Sequence, residues 1–244
     1  MFLLNNRLNI DLQPYVDFDS LKELEPYFVQ AIVKSWKHSK PTIFVRDHCI
    51  DSSTVPLYEV VNHYKHHPEL FPNQEFYNEL IANDWLSSYL RFVEPVQYGG
   101  MSINLQYIKN IETWFSNRGD PDNCKRTDAY DNFPFLFEWL QENNIFSKIG
   151  RCVVYVAEAN MKGIVHYDIP KDNNLHDFIW INLDKRKRLF VQDSVTKEKF
   201  YIDSPIAIFD DRNYHGVENS GYAAWSIRVD GFFSDDFKSK INWK

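Results

Sequence analysis

The sequence predicts a mainly β fold, a sandwich or jelly roll in the C-terminal part, with supporting helices from a mostly helical N-terminal region. Three observations predict it. Short β-type runs follow one another from Arg151 to Phe233, separated by turn signals. Helical periodicity and loops dominate before about residue 145. The composition, 44% apolar with 7 Trp, 14 Tyr and 19 Phe, can bury a sizeable core. Helices first and strands afterwards suggest a β-core with helices on one face. The chain, 1–244, therefore reads as a single domain, with 1–145 as mostly helical support and lid and 146–233 as the core.

Each element has a local reason. Asp19-Ser20 can cap a helix from Leu21 to about Trp36, with Leu21, Leu24, Phe28, Ala31 and Ile32 on its apolar face. Pro41 ends that pattern, and Thr42–Val45 reads as a short buried strand. Leu57–Tyr64 and Gln74–Phe92 read as helices, the second with Phe76, Leu80, Ile81 and Leu86 near helical spacing. Residues 116–132 read as a polar loop, and Pro134 opens a helix over Phe135–Phe146. The strands follow: Arg151–Ala157, Gly163–His166, Asp177–Leu183, Arg188–Gln192, Lys199–Ile202, Ile206–Phe209 and Tyr222–Phe233. Alternation gives two of them a direction. Trp225, Ile227 and Val229 should pack against helices, with Ser226 and Arg228 on the opposite face. Ile179, Ile181 and Leu183 should share one face, and Phe178, Trp180 and Asn182 the other. A face that mixes polar and aromatic groups at a barrel mouth is a ligand site.

Charge and cysteines narrow the function classes. Net charge is −7. Residues 1–145 carry 12 Lys+Arg against 20 Asp+Glu, a balance of −8, and residues 146–244 carry 15 against 14, a balance of +1. Such a chain has no electrostatic footprint for duplex DNA, so nucleic acid is not the expected partner. The run Lys185-Arg186-Lys187-Arg188 reads as a solvated hairpin turn. Cys49, Cys124 and Cys152 are odd in number and irregular in spacing, which argues against a disulfide framework and for a cytoplasmic setting. No apolar run reaches the roughly 20 residues of a membrane helix. The start of the chain lacks the basic and apolar regions of a signal peptide.

The chemistry is carried by three parts in order. His166-Tyr167-Asp168 follows a short strand, and an H-x-D step puts an imidazole and a carboxylate on one side of an extended segment. Alone the step is common. His215 follows an apolar strand and a polar bend, beside Gly216. Two His and one carboxylate can occupy one face of an octahedral metal and leave the other positions open, an arrangement that points to non-haem Fe(II). Arg228 lies on the strand face that points inward, where a guanidinium needs an anionic partner. Weaker candidates are Tyr155 and Asn182 on flanking strands, otherwise core polar groups, and Trp180, which packs or stacks on substrate. His176 reads as a solvated loop residue, and His63, His66 and His67 as a solvated helix end. Asp210 and Asp211 either orient His215 or form the turn.

The string His166-Tyr167-Asp168, His215 and Arg228 resembles the 2-oxoglutarate- and Fe(II)-dependent oxygenases, over about residues 150–233. The segments Ser204–Asp211 and Tyr214–Asn219 look most like the aspartyl/asparaginyl β-hydroxylase and prolyl hydroxylase branches, with their phenylalanine-aspartate step before the distal histidine. The resemblance implies a double-stranded β-helix, a cupin-like jelly roll with helices against one sheet. It implies Fe(II) held by His166, Asp168 and His215. It implies Arg228 on the distal carboxylate of 2-oxoglutarate, with Ser226 adding a hydroxyl, and strand parity would put Tyr155 and Asn182 near that co-substrate. The implied reaction hydroxylates an amino-acid or peptide side chain and releases succinate and CO2. Two other readings are a cupin-like metal enzyme without 2-oxoglutarate, and a β-sandwich binding module in which the histidines are structural.

Overall fold

The structure, a computed structural model, describes residues 4, 7–35, 40–45, 48–50, 100–109, 119–157, 165–168, 175–219 and 224–243. In chain order the elements are β1 (Asn9–Asp11), α1 (Phe18–Glu23), α2 (Glu25–Ser35), β2 (Lys40–Val45), β3 (His48–Ile50), β4 (Gly100–Ile108), β5 (Cys124–Arg126), α3 (Pro134–Glu142), β6 (Phe146–Ala157), β7 (Asp177–Ile181), β8 (Lys187–Gln192), β9 (Lys199–Ile202), β10 (Ile206–Phe209), β11 (Tyr214–Asn219), β12 (Ala224–Phe233) and α4 (Asp235–Ile241). The sequence-predicted helices 57–64 and 74–92, and His63, His66 and His67, lie outside the described residues.

The strands form two antiparallel sheets. The large one runs β1-β10-β7-β12-β6-β4-β2-β3, with β5 beside β4, and the small one runs β11-β8-β9. From β7 to β12 the chain passes back and forth between them. β7, β10 and β12 belong to the large sheet, and β8, β9 and β11 to the small one. This is a double-stranded β-helix, a jelly roll of the cupin-like kind, mainly β with supporting helices. The small sheet gains an edge from His166, which forms an antiparallel bridge with His215.

The strand alternation sorts the side chains into two cores. On the outer face of the large sheet, Val154, Ile179, Ile181, Trp225, Ile227 and Val229 pack with Leu21 and Phe28 of the N-terminal helices and with Leu136 and Leu140 of α3. Phe28 meets Trp225 at 5.1 Å between ring centroids. Between the sheets a smaller core gathers Phe178, Trp180, Leu189, Val191, Ile202, Ala207 and Phe209. The directions read from β7 and β12 hold: odd positions face the helices and even positions face the barrel interior.

Several boundaries differ from the sequence reading. The first helix starts at Phe18, because Asp17 rather than Asp19 is the cap; its Oδ1 accepts from Ser20 N at 3.1 Å. One helix becomes two at Leu24–Glu25, because Pro26 lacks the N–H that would continue the first but suits the opening turn of the second. The helix expected to reach Phe146 stops at Glu142; Asn144 takes a left-handed φ of 48°, and β6 starts at Phe146 rather than Arg151. The polar loop 116–132 contains β5 and two single 3-10 turns, Pro121–Asn123 and Tyr130–Asn132. Strand β4 lies in the region read as helices and loops, and β11 in a stretch read as a bend. No helix among the described residues is long and apolar enough to cross a membrane.

Candidate metal centre

Backbone pairing brings the three expected ligands together. His166 N donates to His215 O at 2.9 Å, and His215 N returns a bond to His166 O at 2.7 Å. Asp168 N donates to Asp211 O at 2.9 Å, which ties the H-x-D segment to the turn before β11. One ligand atom from each of His166, Asp168 and His215 lies within 4.8 Å of the others. Asp168 Oδ1 is 3.4 Å from His166 Nε2 and 3.9 Å from His215 Nε2. Ligand atoms sharing one ion at about 2.1 Å in cis positions sit about 3 Å apart, so the three donors would draw inward around an ion. His166 and Asp168 keep partial exposure, and His215 is buried.

The imidazole of His215 is held in one orientation. Its Nδ1–H donates to Asn213 O at 2.9 Å, which leaves Nε2 with its lone pair toward the centre. Burial first, and the neighbouring His166 second, push its pKa down to about 4, with Asp168 acting in the opposite sense. It is neutral at pH 7, the form that ligates. Its ring lies 5.1 Å from that of Phe209, edge on.

Arg228 touches the triad, but through acids of this chain. Its Nη1 donates to Asp168 Oδ2 at 2.5 Å, its Nη2 to Asp211 Oδ2 at 2.7 Å and its Nε to Asp230 Oδ1 at 2.9 Å. The guanidinium lies 3.8 Å over the Phe178 ring. Burial works against its charge, and Asp230, Asp168 and Asp211 outweigh that effect and raise its pKa. Asp230 also accepts from Arg151 Nη1 at 3.0 Å, and Arg151 in turn bonds the Tyr155 hydroxyl. Three carboxylates and two guanidiniums leave one excess negative charge in this network, which a divalent cation reverses.

The remaining expected residues line the barrel. Ser226 pairs across the sheet with Tyr155, and Arg228 with Trp180. Tyr155 and Trp180 stack at 6.0 Å between centroids. Asn182 donates from Nδ2 to Lys187 O at 2.5 Å. Among the described residues, Ser226 Oγ, Trp180 Nε1 and Asn182 Oδ1 are buried without a hydrogen-bond partner. Buried polar atoms left in this state are costly, and a polar ligand resolves the cost. Of the two acids before the distal histidine, Asp211 holds Arg228 and Asp168, whereas Asp210 pairs with Arg212 in the turn. His176 is half-buried.

The sequence reading missed Lys187. It is 2% exposed rather than solvated. Its Nζ donates to Tyr155 O at 3.1 Å and lies 5.6 Å from the centroid of the Trp180 ring. Strand β8 starts at this residue, so Lys187 shares the interior parity of Leu189 and Val191, and that alternation was the available signal. Its neighbour Arg186 behaves as expected and pairs with Asp184 in the turn. Arg151 and Asp230 were missed too, although each shares strand parity with a residue already singled out: Arg151 with Tyr155, Asp230 with Arg228.

No protein-family model matches the chain, and no curated protein matches it in sequence. Among solved structures it is similar to an oxidoreductase of the 2OG-Fe(II) oxygenase family from Burkholderia pseudomallei, at 11% identity and a TM-score of 0.37 over 56% of this chain and 71% of that one. It is similar to a Pseudomonas putida prolyl-4-hydroxylase at 10% identity and a TM-score of 0.29, over 43% and 67% of the two chains. A viral collagen prolyl hydroxylase from Paramecium Bursaria Chlorella virus-1 gives 11% identity and a TM-score of 0.28, over 79% and 94%.

Proposed function

We propose that this chain is an Fe(II)- and 2-oxoglutarate-dependent oxygenase that hydroxylates an amino-acid or peptide side chain. The observation that carries the reading is the convergence of His166, Asp168 and His215 within 4.8 Å at the β11 edge of the small sheet. Two imidazoles and one carboxylate suit Fe(II) and leave ligand positions open, unlike a closed structural zinc site. Bound there, Fe(II) with 2-oxoglutarate supplies the oxidising chemistry, in which dioxygen and the keto-acid give succinate, CO2 and a hydroxylated C–H bond.

The chain's own residues hold and shield the reactants. His215 presents a neutral Nε2, kept in place by Asn213 O. Asp168 presents Oδ1, while its Oδ2 is retained by Arg228. Ser226 Oγ, Asn182 Oδ1 and Trp180 Nε1 offer hydrogen bonds to a polar co-substrate inside the barrel. Phe178, Phe209, Leu189 and Val191 form apolar walls that keep bulk water from the reacting atoms.

The experiment is an anaerobic titration of the full chain with Fe(II) and then 2-oxoglutarate. A visible charge-transfer band, followed by succinate when oxygen is admitted, supports the reading. Iron binding without a band, and no succinate, removes it. A second reading, a metal enzyme that takes no keto-diacid, is favoured by one observation: the Arg228 donors already serve three aspartates. The same titration separates the two.

A further inference from the structure

We infer that a second ligand site, for a small aromatic carboxylate, lies between β5, α3 and the first half of β6. It sits on the helix-facing side of the large sheet, apart from His166, Asp168 and His215, and it does not rest on the metal-centre reading.

The site exists because two strands part. β4 and β6 pair from Met101↔Val156 to Gln106↔Cys152, with a register shift after Asn104. From there β4 pairs with β5, Gln106, Tyr107 and Ile108 facing Arg126, Lys125 and Cys124. The first half of β6, back to Phe146, keeps β12 as its partner. One side chain closes the apex of the wedge between them: Gln106 Nε2 donates to Ile149 O at 3.0 Å and to Gly150 O at 2.6 Å. Beside it a cavity of about 590 Å3 stays open, a size typical of small-molecule sites.

The lining combines two chemistries. Phe137, Leu140 and Phe146 make an apolar wall, and Tyr130 stacks on Phe137 at 4.1 Å between centroids. Arg126 and Lys148 line the cavity too, and among the described residues no Asp or Glu does. The Arg126 guanidinium lies 4.1 Å over the Tyr130 ring, which holds a cation beside the aromatic wall. Among the described residues neither Arg126 nor Lys148 forms an ion pair, and both are exposed, so the site loads from solvent. Asp236 reaches the rim through Asn144 Nδ2 at 3.5 Å, but it is already paired with Lys240 at 2.7 Å. Two cations lining a recess without a counter-ion draw in an anion. Ring walls favour a flat apolar body, and a guanidinium takes a carboxylate through two parallel N–H bonds. A ring bearing one carboxylate meets both demands.

The test uses the full chain without added metal. The probe is 1-naphthoate, its neutral counterpart is 1-naphthamide, and both are titrated by calorimetry. Naphthoate binds with a dissociation constant of about 1 mM or below. It binds at least about tenfold more tightly than the amide, which offers no charge to the two cations. Arg126→Gln weakens naphthoate by about tenfold and leaves the amide within about twofold of wild type. Lys148→Gln weakens naphthoate by about threefold, as suits an exposed cation. Hydrogen exchange read by mass spectrometry locates the probe: exchange slows in peptides covering 137–149 and is unchanged in those covering 205–219, which carry His215.

The proposal is overturned if naphthoate and naphthamide bind alike, if Arg126→Gln binds naphthoate as wild type does, or if protection appears at 205–219 instead. An absence of binding up to about 10 mM naphthoate overturns it as well. Should Arg126→Gln fail to fold, Lys148→Gln and the exchange map of wild type decide. A chain that gives no charge-transfer band with Fe(II) and 2-oxoglutarate loses the oxygenase reading and leaves this test standing.

Discussion

Asp230 holds two buried guanidiniums at once, which makes its charge the most exacting in the barrel. It is fully buried, with Oδ1 on Arg228 Nε at 2.9 Å and Oδ2 on Arg151 Nη1 at 3.0 Å. Asp230→Asn keeps the shape and removes the charge. Breaking one buried ion pair costs ~3–5 kcal/mol, because the partner is left charged and dry. Asp230 serves two such partners, while Asp168 and Asp211 still compensate Arg228, so the expected loss is about 4 kcal/mol. With an m-value of about 2 kcal/mol per molar urea, the unfolding midpoint falls by about 2 M. The assay is urea unfolding followed by circular dichroism and Trp fluorescence, at low and high salt. The shift persists in high salt, since ions screen surface pairs and not this one. Lys22→Ala, which breaks an exposed pair with Asp19, is the control and moves nothing measurable. A loss below about 1 kcal/mol for Asp230→Asn, or one erased by salt, refutes the view that this network is dry and charged.

The other predictions concern single sites. Ser226→Ala removes a buried hydroxyl that has no partner; the variant melts no lower than wild type, yet binds 2-oxoglutarate more weakly by calorimetry. A lower melting temperature with unchanged binding is the contrary result. Cys124 and Cys152 are buried, and burial raises both thiol pKa values, that of Cys124 to about 12. The thiol form is the one the fold stabilises, so this contribution is complete below the ordinary thiol range and fades as pH rises above it. Neither thiol reacts with Ellman's reagent in native protein at pH 8, and both react after unfolding; rapid native modification of either, located by peptide mapping, contradicts this. Gly216→Ala places a Cβ 2.8 Å from Phe190 Cζ beside the distal histidine. The overpacking costs about 1–3 kcal/mol in urea unfolding. Phe190→Leu restores part of it, and a double variant as weak as the sum of the singles excludes the clash.

What was legible in the sequence follows from distance along the chain. The faces of β7 and β12 were readable because alternation is a property of neighbours: Trp225, Ile227 and Val229 did reach the helices, and Ser226 and Arg228 the interior. The grouping of His166, Asp168 and His215 was readable because H-x-D is local and a histidine beyond a strand and bend completes a candidate ligand set. What surrounds Arg228 was not. Its partners Asp168 and Asp211 stand 60 and 17 residues away, and strand register alone decides that they meet. Strand β4 carries a clear signal, Ser102-Ile103-Asn104-Leu105-Gln106, with Ile103 and Leu105 in the helix-facing core; its place between a helix read over 74–92 and a polar loop read over 116–132 concealed it. Lys187 was misread because four basic residues in a row look wet, whereas β8 begins at Lys187 and strand alternation turns that one inward.

The reciprocal backbone bonds between His166 and His215 mean that the ligands are gathered by folding itself. Metal-dependent mini-domains wait for their ion before they collapse. On the proposed reading this barrel has its donors gathered beforehand, so ions would come and go at a standing protein. Discrimination among them would then fall to the placement of three donors, and a metal-loaded chain emptied by a chelator should be refilled in minutes without refolding.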